Sequence, residues 1–205
     1  MTAVLIIGRV LRASTVGFTV GCRILESLTS QFGDSVPQFG DLVKVPLAND
    51  NIDIFGLIYD LQVRDDPAVR QLILAEDIPP EVMLDQRENR LVPIEISVLV
   101  VGYQRQEQMI QGLPPRPPLS LDTLIKCDAA DLQLFSQNLD YLRLVLNAPQ
   151  IPADELLITN IQRAAFAYPP EMRRDFLIKA GRELARLLHF DLVRLDSILR
   201  RIKPA

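Results

Sequence analysis

The stretch 112–121, GLPPRPPLSL, constrains this chain more than any other, because four of the five residues from Pro114 to Pro118 are proline. Proline fixes φ and has no amide hydrogen to donate, so neither a helix nor a central strand can cross it. A run of this kind favours the extended polyproline conformation and acts as a semi-rigid spacer. The sequence therefore predicts two bodies, one on each side, and 205 residues suffice for a moderate domain with a smaller attachment.

The first side reads as strands. Residues 4–12, VLIIGRVLR, and 17–24, GFTVGCRI, are rich in apolar and β-branched residues and are separated by Ala13–Val16, which predicts a hairpin. Phe39-Gly40-Asp41 is a turn signal before a short strand at Leu42–Pro46, with Lys44 facing outward. A strand at Ile52–Val63 carries Gly56 in its middle, where a glycine marks a bulge or bend. Asp65 before Pro67 predicts a short helix over 65–75, and 85–90 a polar loop. The last expected strand is Ile94–Tyr103. Strands of uneven length without regular strand–helix alternation predict a small barrel, for which OB-like and PRC-like modules are alternatives.

The succession Ile7-Gly8-Arg9-Val10, Gly17-Phe18-Thr19-Val20, Gly40-Asp41-Leu42-Val43-Lys44-Val45, Gly56-Leu57-Ile58-Tyr59-Asp60 and Val98–Tyr103 resembles the HAS barrel. This small β-barrel is shared by HerA-type DNA-translocating ATPases and the rotary ATP-synthase catalytic subunits. The resemblance implies a HAS-like barrel over 1–127 that includes the prolines as its exit; with the helical region read from periodicity over 128–205, an α+β chain is expected. It also implies a ring-shaped collar that mediates subunit or partner contacts. In such relatives an ATPase domain follows the barrel. Here Lys44, Lys126, Lys179 and Lys203 follow Val43, Ile125, Ile178 and Ile202, so no lysine stands in a phosphate-binding Gly-Lys-Ser/Thr turn. The chain also ends early for such a domain, and ATP hydrolysis is not expected.

The second side reads as four amphipathic helices. Leu132, Phe135, Leu139, Leu142 and Leu146 form one stripe on a helix expected from Asp128, its cap, to Asn147. A second helix is expected over 153–167, stopped by Pro169-Pro170, and a third over 171–188 that buries Met172, Phe176, Ala180, Leu184 and Leu187. Asp191 caps a fourth, with Leu192, Leu195, Leu199 and Ile202 inward.

Charge is unevenly placed. The first 127 residues hold 11 Lys and Arg against 16 Asp and Glu, which argues against a nucleic-acid groove on the barrel. From Pro170 onward nine bases face five acids. A solvated face with intrahelical pairs such as Glu183 with Arg186 accounts for these. The functional reading makes Arg173, Arg174, Lys179, Arg182 and Arg186 contacts for a protein partner or phosphates, although the absence of tryptophan disfavours base stacking.

Enzyme chemistry finds no support in the residues. His189 is the only histidine and reads as a helix-end residue, and there is neither an HExxH pair nor a Gly-x-Ser-x-Gly elbow. Cys22 and Cys127 form no CxxC pair and read as reduced thiols. The carboxylate pairs Asp65-Asp66 and Glu76-Asp77 sit at expected helix ends or loops. No cofactor, metal or catalytic residue is expected. No apolar run approaches the roughly 20 residues needed to span a bilayer, and the start is no secretory signal, so a cytoplasmic, non-membrane protein is expected. The leading expectation is a non-catalytic assembly or adaptor protein that self-associates or docks on a HerA-like ATPase or its associated nuclease. The alternative is a nucleic-acid-binding accessory protein that uses the basic helices.

Overall fold

The computed structural model describes residues 5–25, 36–47, 50–63, 70, 74, 79, 81 and 91–203. The expected hairpin forms from β1 (Ile6–Ala13) and β2 (Gly17–Leu25). Ser14 closes it, since its hydroxyl donates to the Gly17 carbonyl at 3.0 Å and accepts the Gly17 amide at 3.2 Å. β3 (Leu42–Leu47) and β4 (Ile52–Val63) follow, then β5 (Leu91–Arg105), β6 (Gln108–Ile110) and β7 (Thr123–Lys126). Their order is β2-β1-β7-β3-β4-β5, and β2 also pairs with β5 from Gly17 opposite Leu99 to Leu25 opposite Leu91. Six antiparallel strands thus close into a barrel and leave no long edge to template aggregation. β6 pairs only with Tyr103–Arg105 of β5, past the point where β2 ends.

Gly56 is a bulge as expected. The β4–β5 register shifts between Phe55 and Gly56, and a Cβ at Gly56 would lie 2.3 Å from Val98 Cγ1. β6 and β7 were not anticipated. Segments of three and four residues are too short to display an alternating pattern.

β7 changes the meaning of the prolines. The expected exit from the barrel is instead a connection inside it, joining β6 to β7. Pro114 and Pro118 are buried. The segment lies along β1, with the Leu121 amide donating to the Val10 carbonyl at 2.8 Å and the Ser120 hydroxyl to the Leu11 carbonyl at 3.1 Å. Asp122 accepts the Leu119 amide at 2.8 Å, and Arg116 pairs with Asp50.

The helical part comprises α1 (Ala129–Phe135), α2 (Tyr141–Leu146), α3 (Ala153–Ala167), α4 (Pro170–Leu187) and α5 (Leu192–Ile202). Asp128 caps α1 through a reciprocal capping box with Asp131, and Asp191 caps α5 by accepting the Arg194 amide at 3.0 Å. The single helix expected over 128–147 is broken into α1 and α2. Gln111, just past β6, fills the break: its Nε2 donates to the carbonyls of Phe135 (2.8 Å) and Asn138 (2.9 Å), and its Oε1 accepts the Tyr141 amide at 3.0 Å. Three helix-terminal groups are satisfied by one side chain. The apolar stripe survives the break because Phe135, Leu139 and Leu142 are all buried. Two expected core residues, Met172 and Leu192, are exposed, since each stands in the first turn of its helix, away from the packed stripe. Of the helix expected over 65–75 only Arg70 and Leu74 are described; the loop at 85–90 and the pairs Asp65-Asp66 and Glu76-Asp77 lie outside the described residues. Among the described residues no helix is long and apolar enough to cross a membrane.

Two cores follow from strand alternation. Val43, Val45, Ile54, Ile58, Val98 and Leu124 fill the barrel. Their neighbours Leu42, Phe55, Leu57 and Val101 face outward into a second core shared with all five helices. Phe55 stacks on Phe135 at 5.5 Å between centroids, and Phe135 meets Tyr141 at 5.2 Å. The barrel wall here is buried on both faces, and each fully buried leucine in the second core, such as Leu142 or Leu156, contributes about 2 kcal/mol of transfer free energy.

The predicted turn at Phe39-Gly40-Asp41 holds this seam. Gly40 has φ +83°, and a Cβ there would lie 2.6 Å from Thr159 Cγ2 on α3. Its carbonyl accepts Asn160 Nδ2 at 3.2 Å, while Asn160 Oδ1 accepts the buried Tyr141 hydroxyl at 2.7 Å. Gly40→Ala adds both left-handed strain and a clash with α3, so a loss of about 3 kcal/mol is expected in urea unfolding. A wild-type midpoint would show that the turn does not hold α3.

Candidate functional site

Immediately beside that turn, β3 and β7 on one side and α1 and α3 on the other enclose a cleft of about 660 Å³. It is lined by the charged side chains of Asp41, Lys44, Lys126, Asp128, Asp131 and Arg163. Asp41 is 3% exposed and carries two cations, with Lys126 Nζ 2.8 Å from Oδ2 and an Arg163 guanidinium nitrogen 2.9 Å from Oδ1. The Gln38 amide also donates to Oδ2 at 2.8 Å, and Arg163 donates to Gln38 Oε1 at 2.5 Å. Arg163 Nε is buried and finds no hydrogen-bond partner among the described residues. That is a cost the salt bridge has to offset.

A second pair closes the other end. Lys44 Nζ donates to both oxygens of Asp131, at 2.7 and 2.8 Å. Lys44 does face outward from the barrel, as the alternation predicts, but it meets α1 there. Burial pulls its pKa down, yet the hydrogen bonds and charge of Asp131 prevail and hold the ammonium above the ordinary lysine range. Nearby Asp53 is pushed up by burial and partly drawn back by Lys44.

Cys127 also lines this cleft. Burial pushes its thiol well above the ordinary range, with the Asp131 carboxylate adding to the effect and Lys44 opposing it. Cys22, on β2, is pushed up to about 11 by burial alone. Both cysteines are free, and at neutral pH both hold their protons, which makes them poor nucleophiles and metal ligands.

The arrangement binds elements together. Asp41 and Asp131 are both taken by cations, Asp128 caps α1, and no group of three His, Cys, Asp or Glu among the described residues could hold a metal ion. The sequence reads Asp41 as a turn residue and Lys126 only as a lysine outside a phosphate-binding turn, and it does not single out Arg163. Their meeting depends on β7 and α3 arriving from 85 and more residues away, and no local pattern encodes it.

Of the five basic residues expected as contacts, three line one cleft on α4 and two do not. Arg173 turns back on α3, donating to the Tyr168 carbonyl at 3.1 Å and lying 5.0 Å over the Phe166 ring. Lys179, Arg182 and Arg186 are brought together on one face of α4, but Asp140, Asp175 and Glu183 line the same cleft. Lys179 donates to the Gln137 carbonyl, and Arg186 pairs with Glu183 at 2.5 Å. Arg174 and Arg182 are exposed, and His189 lies just past the end of α4.

Apolar surface is the other feature exposed in quantity. On the barrel, Ile6 and Leu11 of β1 and Leu119 and Leu121 of the proline segment project into solvent. The hydrogen bonds of Ser120 and Leu121 to β1 hold the two segments side by side. The sequence gives no warning of this patch, because its second half comes from a segment read as a spacer.

Asp41→Asn keeps the shape of the side chain but removes the carboxylate charge that joins Lys126 and Arg163. An unfolding free energy lower by about 3 kcal/mol at neutral pH is expected; an unchanged value would mean the triad is not what joins the barrel to α3. No family model matches the chain, and no curated protein matches it.

Proposed function

We propose that this is a non-catalytic assembly or adaptor protein of the cytoplasm, whose HAS-like barrel docks on a protein partner, a HerA-like ATPase or its associated nuclease. The observation that supports the reading is the set of exposed aliphatic side chains of Leu11, Leu119 and Leu121, on β1 and on the segment hydrogen-bonded to it, on the outside of a closed barrel. Large aliphatic side chains held in water by a rigid segment are what a partner surface desolvates. Capture with the tagged chain from its native cells, followed by mass spectrometry, tests it. Wild type should enrich such an ATPase or nuclease, and Leu11→Lys with Leu119→Lys should cut the yield at least about tenfold, the factor that 1.4 kcal/mol represents. Equal recovery by both proteins would sink the proposal.

The alternative, a nucleic-acid-binding accessory protein, draws on Arg174 and Arg182, which are exposed on α4 and form no ion pair among the described residues. Two such cations would release about two counterions, giving a salt slope of about −2 on duplex DNA. Absence of binding at low salt removes this reading.

A further inference from the structure

The turn that ends the proline segment is strained at a position where the chain itself has little use for a side chain. Leu119 to Asp122 form a β-turn, with the Asp122 amide donating to the Leu119 carbonyl at 3.1 Å, and its third residue, Leu121, has φ +76°. Glycine takes that left-handed conformation without cost, whereas a leucine has to be forced into it. Burial does not offset the strain, because Leu121 is 70% exposed. The same turn positions Arg9 of β1. Its Nη1 donates to the Leu121 carbonyl at 3.0 Å and to Thr123 Oγ1 at 3.1 Å, so one nitrogen holds the guanidinium while Nε and Nη2 make no hydrogen bond among the described residues. Arg9 is exposed and forms no ion pair among them either, since Asp122, the acid of the turn, accepts the Leu119 amide. The exposed Phe190, Leu192 and Val193 at the turn from α4 into α5 have no such neighbour: there Arg186 is paired with Glu183 and Arg194 with Asp154.

We propose that Arg9, Leu11, Leu119 and Leu121 form one docking site for a protein segment that carries an Asp or Glu among aliphatic side chains. The Nε–Nη2 edge of a guanidinium presents two parallel N–H donors, which the two oxygens of a carboxylate fill together. The segment's carboxylate sits on that edge and its aliphatic groups cover the leucines, which Ser120 and Leu121 hold beside β1. Aliphatic contacts next to the ion pair keep water from it and strengthen it relative to a fully solvated one. A phosphate backbone would use Arg9 but leave the leucines in water. The inference rests on the adaptor reading and gives the docked surface of its partner a chemistry.

Selection of random displayed peptides on the purified full chain tests this. Wild type should enrich peptides with Asp or Glu next to Leu, Ile, Val or Phe over those with Asn or Gln in the same place by at least about tenfold, the effect of a charge-assisted paired hydrogen bond. Arg9→Gln should lose the preference for acid and still enrich aliphatic peptides. Arg9→Lys, which keeps the charge without the paired donors, replaces it if its circular dichroism signal is lost, and should show a weaker preference than wild type. Leu121→Gly should cut enrichment at least about tenfold without unfolding at lower urea, because glycine suits the turn. No enrichment by wild type, enrichment indifferent to acid, an Arg9 variant that keeps the full preference, or a Leu121→Gly chain that unfolds earlier or selects as wild type does would each overturn the proposal. Capture from cells is read separately: a chain that selects acidic aliphatic peptides but recovers neither ATPase nor nuclease keeps this site and loses the assigned partner.

Discussion

The whole arrangement depends on one buried carboxylate. Asp41 ends the tight turn before β3, and its two cations come from β7 and from α3. A buried ion pair contributes little net stability, since desolvating the charges offsets most of their attraction, but breaking it is costly. Its effect is therefore selective: arrangements that part β7 or α3 from the turn leave an unpaired charge inside the protein. The turn backbone adds a second constraint, because Gly40 leaves no room between itself and Thr159, and its carbonyl is held by Asn160. Asn160 in turn accepts from Tyr141, whose ring packs on Phe135 and through it on Phe55 of the barrel. Position of the helices on the barrel follows from this polar chain, and the shared apolar core supplies most of the free energy.

Elements with strong local signals were legible in the sequence. The hairpin, the long strand at 52–63 with its bulge at Gly56, and the helix at 153–167 stand where β-branched alternation, glycine and helical periodicity put them. The caps Asp128 and Asp191 were legible for the same reason, since a cap is a contact over three residues. Contacts at long range were not. Gln111 splits a helix whose own pattern runs on unbroken, and a glutamine beside a strand end gives no sign that it will hold three backbone groups 24 or more residues away. The Asp41 triad is hidden likewise: Lys126 falls in a four-residue strand and Arg163 on a helix, and neither carries a local sign that the tertiary fold brings them together.

The proline segment shows how a sound local argument can carry a wrong global conclusion. Stiffness and the lack of donors do exclude it from the sheet, and it forms neither helix nor strand. What composition leaves open is where its ends lie. Both ends are strands of the same barrel, so the stiff segment crosses the surface instead of leaving it, with Asp122 fixing one end and Gln111 just ahead of the other. A strap with few donors of its own needs few partners, and the bonds that Ser120 and Leu121 make to β1 are enough to hold it while Leu119 and Leu121 stay exposed.

This bears on function through rigidity. Charged groups at the seam are engaged in holding helices to barrel, which fixes the relative placement of the two apolar surfaces. One is on the barrel and the other at the α4–α5 turn, tied to α3 by Arg194 with Asp154 and by Arg201 with Glu155. An adaptor needs that property. If its two contact faces moved independently, each would engage its neighbour at the full entropic cost of association, whereas faces fixed in one body present a second partner at a set distance and angle from the first.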